Sequence, residues 1–132
     1  MRRVVVTGLG LLTPLGNDVD STWEGLIAGR SGIGTVTAFD ASEYERPIAG
    51  ELKNFHPDQF VDPKLLRRID SSAALALAAA KQAVADSCLD LQNEDPGMVG
   101  VVLGTGIGGA HLIADNQKVL EDRGARRVSP FL

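Results

Sequence analysis

The chain of 132 residues is one domain or part of one, long enough to bury a core. Hydrophobic residues make up 44 % and charged residues 23 %, an ordinary globular composition, and a net charge of −4 lacks the basic footprint of a nucleic-acid binder. One cysteine, Cys88, excludes an internal disulfide framework and fits a reducing cytoplasm, and no run approaches the roughly 18 apolar residues of a membrane span.

In chain order, Arg2 to Thr7 predicts a strand whose triplet Val4-Val5-Val6 is apolar on both faces, as in a central strand. The basic start ahead of this run has the outline of a secretion signal. Thr7, Gly8 and Gly10 interrupt it, however, and no small-x-small cleavage site follows. Thr13-Pro14-Leu15-Gly16-Asn17 is turn chemistry. A helix is predicted next, with Ser21 and Glu24 as a capping box, Trp23, Leu26 and Ile27 on one apolar face, and Gly29 at the C-terminal cap. Residues 36–39 and 48–52 are expected to form short strands of a hairpin.

Asp62-Pro63 is an N-cap followed by proline at the first helical position, and Asp70 caps a further helix running to about Ser87. That helix holds eight alanines between Ala73 and Ala85, interrupted by Lys81 and Gln82, and is expected to be buried on most sides. Asn93 to Gly97 predicts a turn. An apolar run from Met98 to Leu103 then leads into Gly104-Thr105-Gly106-Ile107-Gly108-Gly109, followed by a helix from Ala110 to about Asp122 that stops at Gly124. Strands of the buried parallel type alternating with helices argue an α/β fold.

The glycine cluster fits G-x-G-x-x-G at Gly104, Gly106 and Gly109, the spacing of a dinucleotide-binding turn. Such a site also needs a second strand ending in an acidic residue about 20 positions on, or an arginine for a 2′-phosphate. Arg126-Arg127-Val128-Ser129-Pro130 stands there, with proline cutting the strand short. The alternative takes these glycines as backbone packed against an acyl chain. Cys88 has Asp86 and Asp90 beside it rather than the basic partner of an activated thiolate, so it is expected to be a small residue near a helix end. No motif spacing relates His56, His111 and Cys88, so no metal site and no catalytic constellation is expected. Lys64, Arg67 and Arg68, and separately Arg123, Arg126 and Arg127, form basic patches on an acidic chain. Such patches are either solvated surface or a dock for an acidic partner.

Several ordered motifs together resemble the opening of the β-ketoacyl-acyl carrier protein synthases, nearest the bacterial synthase II type. They are Arg2-Arg3-Val4-Val5-Val6-Thr7-Gly8-Leu9-Gly10, Thr13-Pro14-Leu15-Gly16, Ser21-Thr22-Trp23 and Ala28-Gly29-Arg30-Ser31-Gly32-Ile33. Phe39-Asp40, Arg67-Arg68-Ile69-Asp70, Gly104 to Gly109 and Ser129-Pro130-Phe131 continue the match, so the resemblance covers the whole chain, 1–132.

The resemblance implies part of a thiolase-like fold of layered helices and sheets (α/β/α/β/α, here an incomplete N-terminal half), in a homodimer of the full-length form. It implies a condensing enzyme of fatty acid biosynthesis, in which a cysteine takes an acyl group from acyl carrier protein and malonyl carrier protein loses carbon dioxide and attacks. No cofactor is implied. The family's nucleophile and histidines lie beyond position 132. No catalytic residue carries over, and the chain by itself is expected to be inactive. Ile107 matches an isoleucine lining the acyl pocket. Leu132 matches a position, commonly Phe, that reaches toward the partner subunit's acyl tunnel. Lys64, Arg67, Arg68, Arg126 and Arg127 match basic positions that hold acyl carrier protein. Two other functions stand beside this one: a non-catalytic synthase-like partner subunit, and a dinucleotide-binding module.

Overall fold

The computed structural model describes residues 2–130. In chain order these form α1 (Val19–Ile27), β1 (Ile33–Thr35), β2 (Ile48–Gly50), α2 (Pro63–Leu66), α3 (Ser71–Ser87) and α4 (Ala110–Arg123), with 3₁₀ turns at Pro57–Gln59, Pro96–Met98 and Ala125–Arg127. The chain divides into two compact units, one of Met1–His56 with Ala79–Leu89, the other of Pro57–Ala78 with Asp90–Leu132.

The first unit is built on contact between backbone and backbone. A Cβ placed on Gly10 would collide with the carbonyl of Ala79 and lie 2.8 Å from the Ala83 nitrogen. One on Gly8 would collide with the carbonyl of Ala83 and lie 2.6 Å from the Ser87 nitrogen. Only glycine facing an alanine-rich helix permits this approach. Polar side chains of α3 then fix the loop: the Asp86 carboxylate accepts from the Leu9 N–H at 2.8 Å, and Gln82 accepts from the Leu11 N–H at 3.1 Å while donating to the Asn17 carbonyl at 2.7 Å.

Between those anchors the chain makes a tight turn, with Thr13 and Gly16 exchanging backbone hydrogen bonds of 2.8 and 3.1 Å. The buried Thr22 of α1 closes it, meeting the Thr13 hydroxyl at 3.0 Å and the Gly16 carbonyl at 3.3 Å. The helix α1 begins earlier than the Ser21–Glu24 capping box predicts. Asp18 is its cap, accepting both the backbone N–H and the hydroxyl of Ser21 at 2.7 Å. A carboxylate three residues before the expected cap takes the orphan amide of Ser21 and so starts the helix earlier. The other end is as expected: Gly29 takes φ 62, Arg30 N–H donates to the Gly25 carbonyl and Gly29 N–H to that of Leu26, a Schellman closure.

The expected hairpin is present, but its first strand lies at Ile33–Thr35 rather than 36–39. β1 and β2 pair antiparallel, Gly34 opposite Ala49. Pro14 packs on this pair, since a Cβ on Gly32 would sit 2.7 Å from Pro14 Cβ and one on Gly50 2.9 Å from its Cγ. Glu51 closes the open end by accepting from the amides of Thr37 and Ala38 and from the Thr37 hydroxyl, which holds its carboxyl below the ordinary range, the hydroxyl contact contributing most.

Two expectations are corrected. Arg2–Thr7 and the run 99–103 form no strand, and the sole sheet among the described residues is the antiparallel pair. A strand apolar on both faces needs ladder partners on its edges and layers above and below; the described residues give neither run a partner, and Val102 is 96 % exposed. Likewise α3 is buried along one side only, at Ala74 and Ala78, with Leu77 and Val84 partly exposed. Its predicted bounds and its Asp70 cap do hold, Asp70 accepting from the Ser72 amide at 2.8 Å.

Gly10→Ala is expected to lower the stability of the intact protein by about 1–3 kcal/mol, because overpacking forces the backbone apart. Gly34→Ala, where a Cβ meets nothing within 4 Å, is expected to be neutral or stabilising by up to about 1 kcal/mol. Thermal melts of the two variants check the contrast.

Candidate functional site

The site residues named from the sequence that the structure describes, Lys64, Arg67, Arg68, Ile107, Arg126 and Arg127, fall in the second unit, Pro57–Ala78 with Asp90–Leu132. Its frame is α4. This helix starts at Gly109, whose φ of 74 places it in the left-handed region, with no side chain capping the first amides. It ends at Gly124, φ 77, whose N–H returns to the Leu120 carbonyl, as the sequence predicts.

Ahead of α4 the chain turns sharply at Thr105–Gly108: a Cβ on Gly108 would lie 3.0 Å from the Thr105 methyl. Cβ atoms on Gly104 and Gly106 would meet nothing within 4 Å. Ile107, at the crest of this turn, is 81 % exposed. An aliphatic side chain held outward by a glycine turn is a surface for another apolar group. The dinucleotide alternative lacks its strands. The residues before the glycines form none, and Ala125–Arg127 is a 3₁₀ turn.

Asp70 stands beside the start of α4. Its carboxyl is held below the ordinary value, first by the Ser72 side chain and amide, then by the Gly109 backbone and the charge of His111. Asp70 thus favours the start of α3 and feels the start of α4. His111 and His56 are themselves exposed, as is Cys88, which takes φ 54 at the end of α3. Among the described residues no cluster of three or more His, Cys, Asp or Glu could hold a metal ion.

The first basic group sits on and after α2. Asp62 caps this helix by accepting from the Lys64 amide at 2.7 Å, Pro63 occupies its first position, and Arg67 is its C-cap. The turn continues, with Arg68 N–H and Ile69 N–H both donating to the Leu65 carbonyl. Spacings of three and four residues therefore bring Lys64, Arg67 and Arg68 along one side, all exposed. Arg126 and Arg127 are exposed in the 3₁₀ turn that follows Gly124. Leu132 lies outside the described residues.

One residue escaped the sequence reading. Asn116, in the middle of α4, is only 7 % exposed. Its amide nitrogen donates to the Leu112 carbonyl at 2.8 Å, and its oxygen accepts the Ser129 N–H at 2.7 Å. The available signal was an asparagine, a poor helix former, set inside a helical run.

A family model described as the N-terminal domain of beta-ketoacyl synthase matches residues 1–132. The chain is 44 % identical over 131 residues to a 3-oxoacyl-acyl-carrier-protein synthase 2 of Synechocystis sp., covering 99 % of this chain and 32 % of that protein. It is 45 % identical over 130 residues to the synthase 2 of Staphylococcus aureus and 42 % to that of Vibrio cholerae, covering 98 % of this chain and 31 % of each. Among solved structures, a type II polyketide ketosynthase in complex with its acyl-carrier protein aligns with TM-score 0.72 at 27 % identity, over 96 % of this chain and 33 % of that one. The ishigamide ketosynthase/chain length factor aligns with TM-score 0.76 at 30 % identity, over 98 % of this chain and 32 % of that one. The chain thus spans about a third of the length of the proteins it matches.

Because the Asp70 carboxyl has a folded-state value below its unfolded one, its stabilisation is full above about pH 4 and disappears as pH falls through the folded-state value. Asp70→Asn keeps a helix cap but removes the titration. Urea midpoints measured across acid pH are expected to fall less steeply in D70N than in the wild type; parallel curves would show that Asp70 has no such linkage.

Proposed function

The chain belongs to the beta-ketoacyl synthase family, whose N-terminal domain it matches and whose thiolase-like fold class it shares, and from that premise we propose that it is the N-terminal portion of a condensing enzyme of fatty acid biosynthesis. In this function an acyl group on acyl carrier protein is joined, with loss of carbon dioxide, to malonyl carrier protein. The observation that carries the proposal is the near end-to-end identity of 42–45 % with proteins named synthase 2.

The segment's own part is to bind. Ile107 projects from a turn that leaves it exposed, and it serves as one wall of the acyl pocket, with position 132 as another. The covalent step belongs to a cysteine elsewhere in the intact polypeptide, which acts as a homodimer in the cytoplasm. No cofactor takes part.

Lys64, Arg67, Arg68, Arg126 and Arg127 form the dock for the acidic carrier protein. The chain as a whole is acidic, at −4, so attraction must come from these local clusters. Exposed charges more than about 8–10 Å apart are largely screened at physiological salt. Docking through them is therefore short-ranged and salt-sensitive.

A second reading is favoured by one specific likeness, that to the ishigamide ketosynthase/chain length factor. On that reading the protein is a non-catalytic partner that binds carrier protein and condenses nothing by itself.

Arg67→Glu and Arg126→Glu in the intact protein are each expected to weaken acyl carrier protein binding about five- to tenfold, with the loss shrinking as salt is raised. Titration at two ionic strengths measures it. Wild-type affinity in both variants, indifferent to salt, would remove the docking assignment.

A further inference from the structure

The chain leaves α4 and turns back on it. Gly124 N–H returns to the Leu120 carbonyl at 3.1 Å, Arg127 N–H to that of Gly124 at 3.1 Å, and Val128 N–H to that of Ala125 at 3.3 Å. These short-range bonds shape the turn. A bond of longer span sets where it lies against the helix: the Ser129 N–H donates at 2.7 Å to the side-chain oxygen of Asn116. Asn116 lies eight residues before Gly124, roughly 12 Å back along the axis at 1.5 Å per residue. The segment 124–129 is thus a loop held on one helix at both ends, at Gly124 by continuity and at Ser129 by Asn116. Arg126 and Arg127 are exposed between those ends.

Asn116 is a poor helix former in the middle of a helix, and it is buried, a place tolerated when the polar atoms of the side chain are paired. They are paired here, since the amide nitrogen donates to the Leu112 carbonyl at 2.8 Å. An apolar side chain could fill the same volume but could not select one amide from the returning segment. The bond to Ser129 therefore specifies position as well as adding stability.

Position matters to the two arginines because their reach is short. Exposed charges are screened over about 8 Å at physiological salt, and a guanidinium binds a carboxylate or phosphate through a planar fork that must be aimed. We propose that Asn116 is a positioning residue for the carrier-protein dock: by holding Ser129 on α4 it fixes the short loop that displays Arg126 and Arg127. The proposal rests on the docking reading of these two arginines. It adds a residue that touches no partner and acts through the loop.

The test measures acyl carrier protein affinity of the intact protein in a double-mutant cycle. Asn116→Leu keeps the volume and the net charge and removes the acceptor for Ser129. It is expected to weaken binding about fivefold at low salt, mainly through slower association, as changes to rim charges do. In an Arg126→Ala, Arg127→Ala background the same substitution is expected to cost nothing further, because a residue acting through the arginines is non-additive with them. In Arg67→Ala, which alters the separate cluster on α2, the fivefold loss is expected to persist. Hydrogen exchange at the Arg127 and Val128 amides is expected to quicken in N116L, while that at Ile113, bonded to the Gly109 carbonyl, stays as in the wild type. If N116L does not fold, Ser129→Pro deletes the same bond from its donor side and enters the same cycle.

An N116L loss of equal size with and without the two arginines would overturn the proposal and leave Asn116 purely structural. Wild-type affinity in both N116L and S129P would overturn it too. Wild-type affinity in the Arg126→Ala, Arg127→Ala protein would instead remove the docking reading of this cluster, and the proposal with it.

Discussion

Backbone lying directly on backbone is the constraint from which the first unit follows. At Gly8 and Gly10 the chain rests against the carbonyls of Ala83 and Ala79, leaving no room for a Cβ at either place. Helix α3 meets this demand with small side chains, and it has few large apolar groups with which to do anything else. Its two polar exceptions in the contact are used: Gln82 spans the loop from Leu11 to Asn17, and Asp86 holds Leu9. Asn17 then passes the connection on, donating to the Lys53 carbonyl at 2.8 Å. The hairpin, the Pro14 turn and α1 are therefore tied, through hydrogen bonds and glycine contacts, to one face of one helix.

The second unit works by tethers rather than by a deep core. Among the described residues its buried side chains are Val61, Ala74, Ala78 and Asn116, none of them large. Such an arrangement holds loops at defined places on a helix without covering their apolar side chains. Ile107 is exposed, and the basic residues are displayed on two short turns, α2, which Asp62 caps, and Ala125–Arg127. The binding role proposed for this segment needs that combination of a fixed backbone and an uncovered side chain.

What was legible in the sequence is what short-range chemistry decides. Asp62, Asp70, Gly29 and Gly124 all cap or stop helices where the residue types say they should. The start of α1 was misplaced because two acceptors, Asp18 and Ser21, compete within one turn, and the stronger lies outside the expected boundary. The strands were less legible. β-Branched triplets reveal a strand's tendency, yet a ladder is made by its partner, and neither Val4-Val5-Val6 nor the 99–103 run is paired. The bonds of Gln82 and Asn116 span 65 and 13 residues, and no local pattern announces them. The glycine turn was legible as a turn. Its ligand class was not, because a bare glycine turn suits a phosphate and an acyl chain alike.

The most direct measurement is the product of the intact protein. Mixed with an acyl carrier thioester and malonyl carrier protein, it is expected to release carbon dioxide and yield, by mass spectrometry, a 3-oxoacyl carrier protein two carbons longer than the acyl donor. An intact protein that binds carrier protein but forms no such product and releases no carbon dioxide would contradict the account and assign the chain to a non-catalytic partner.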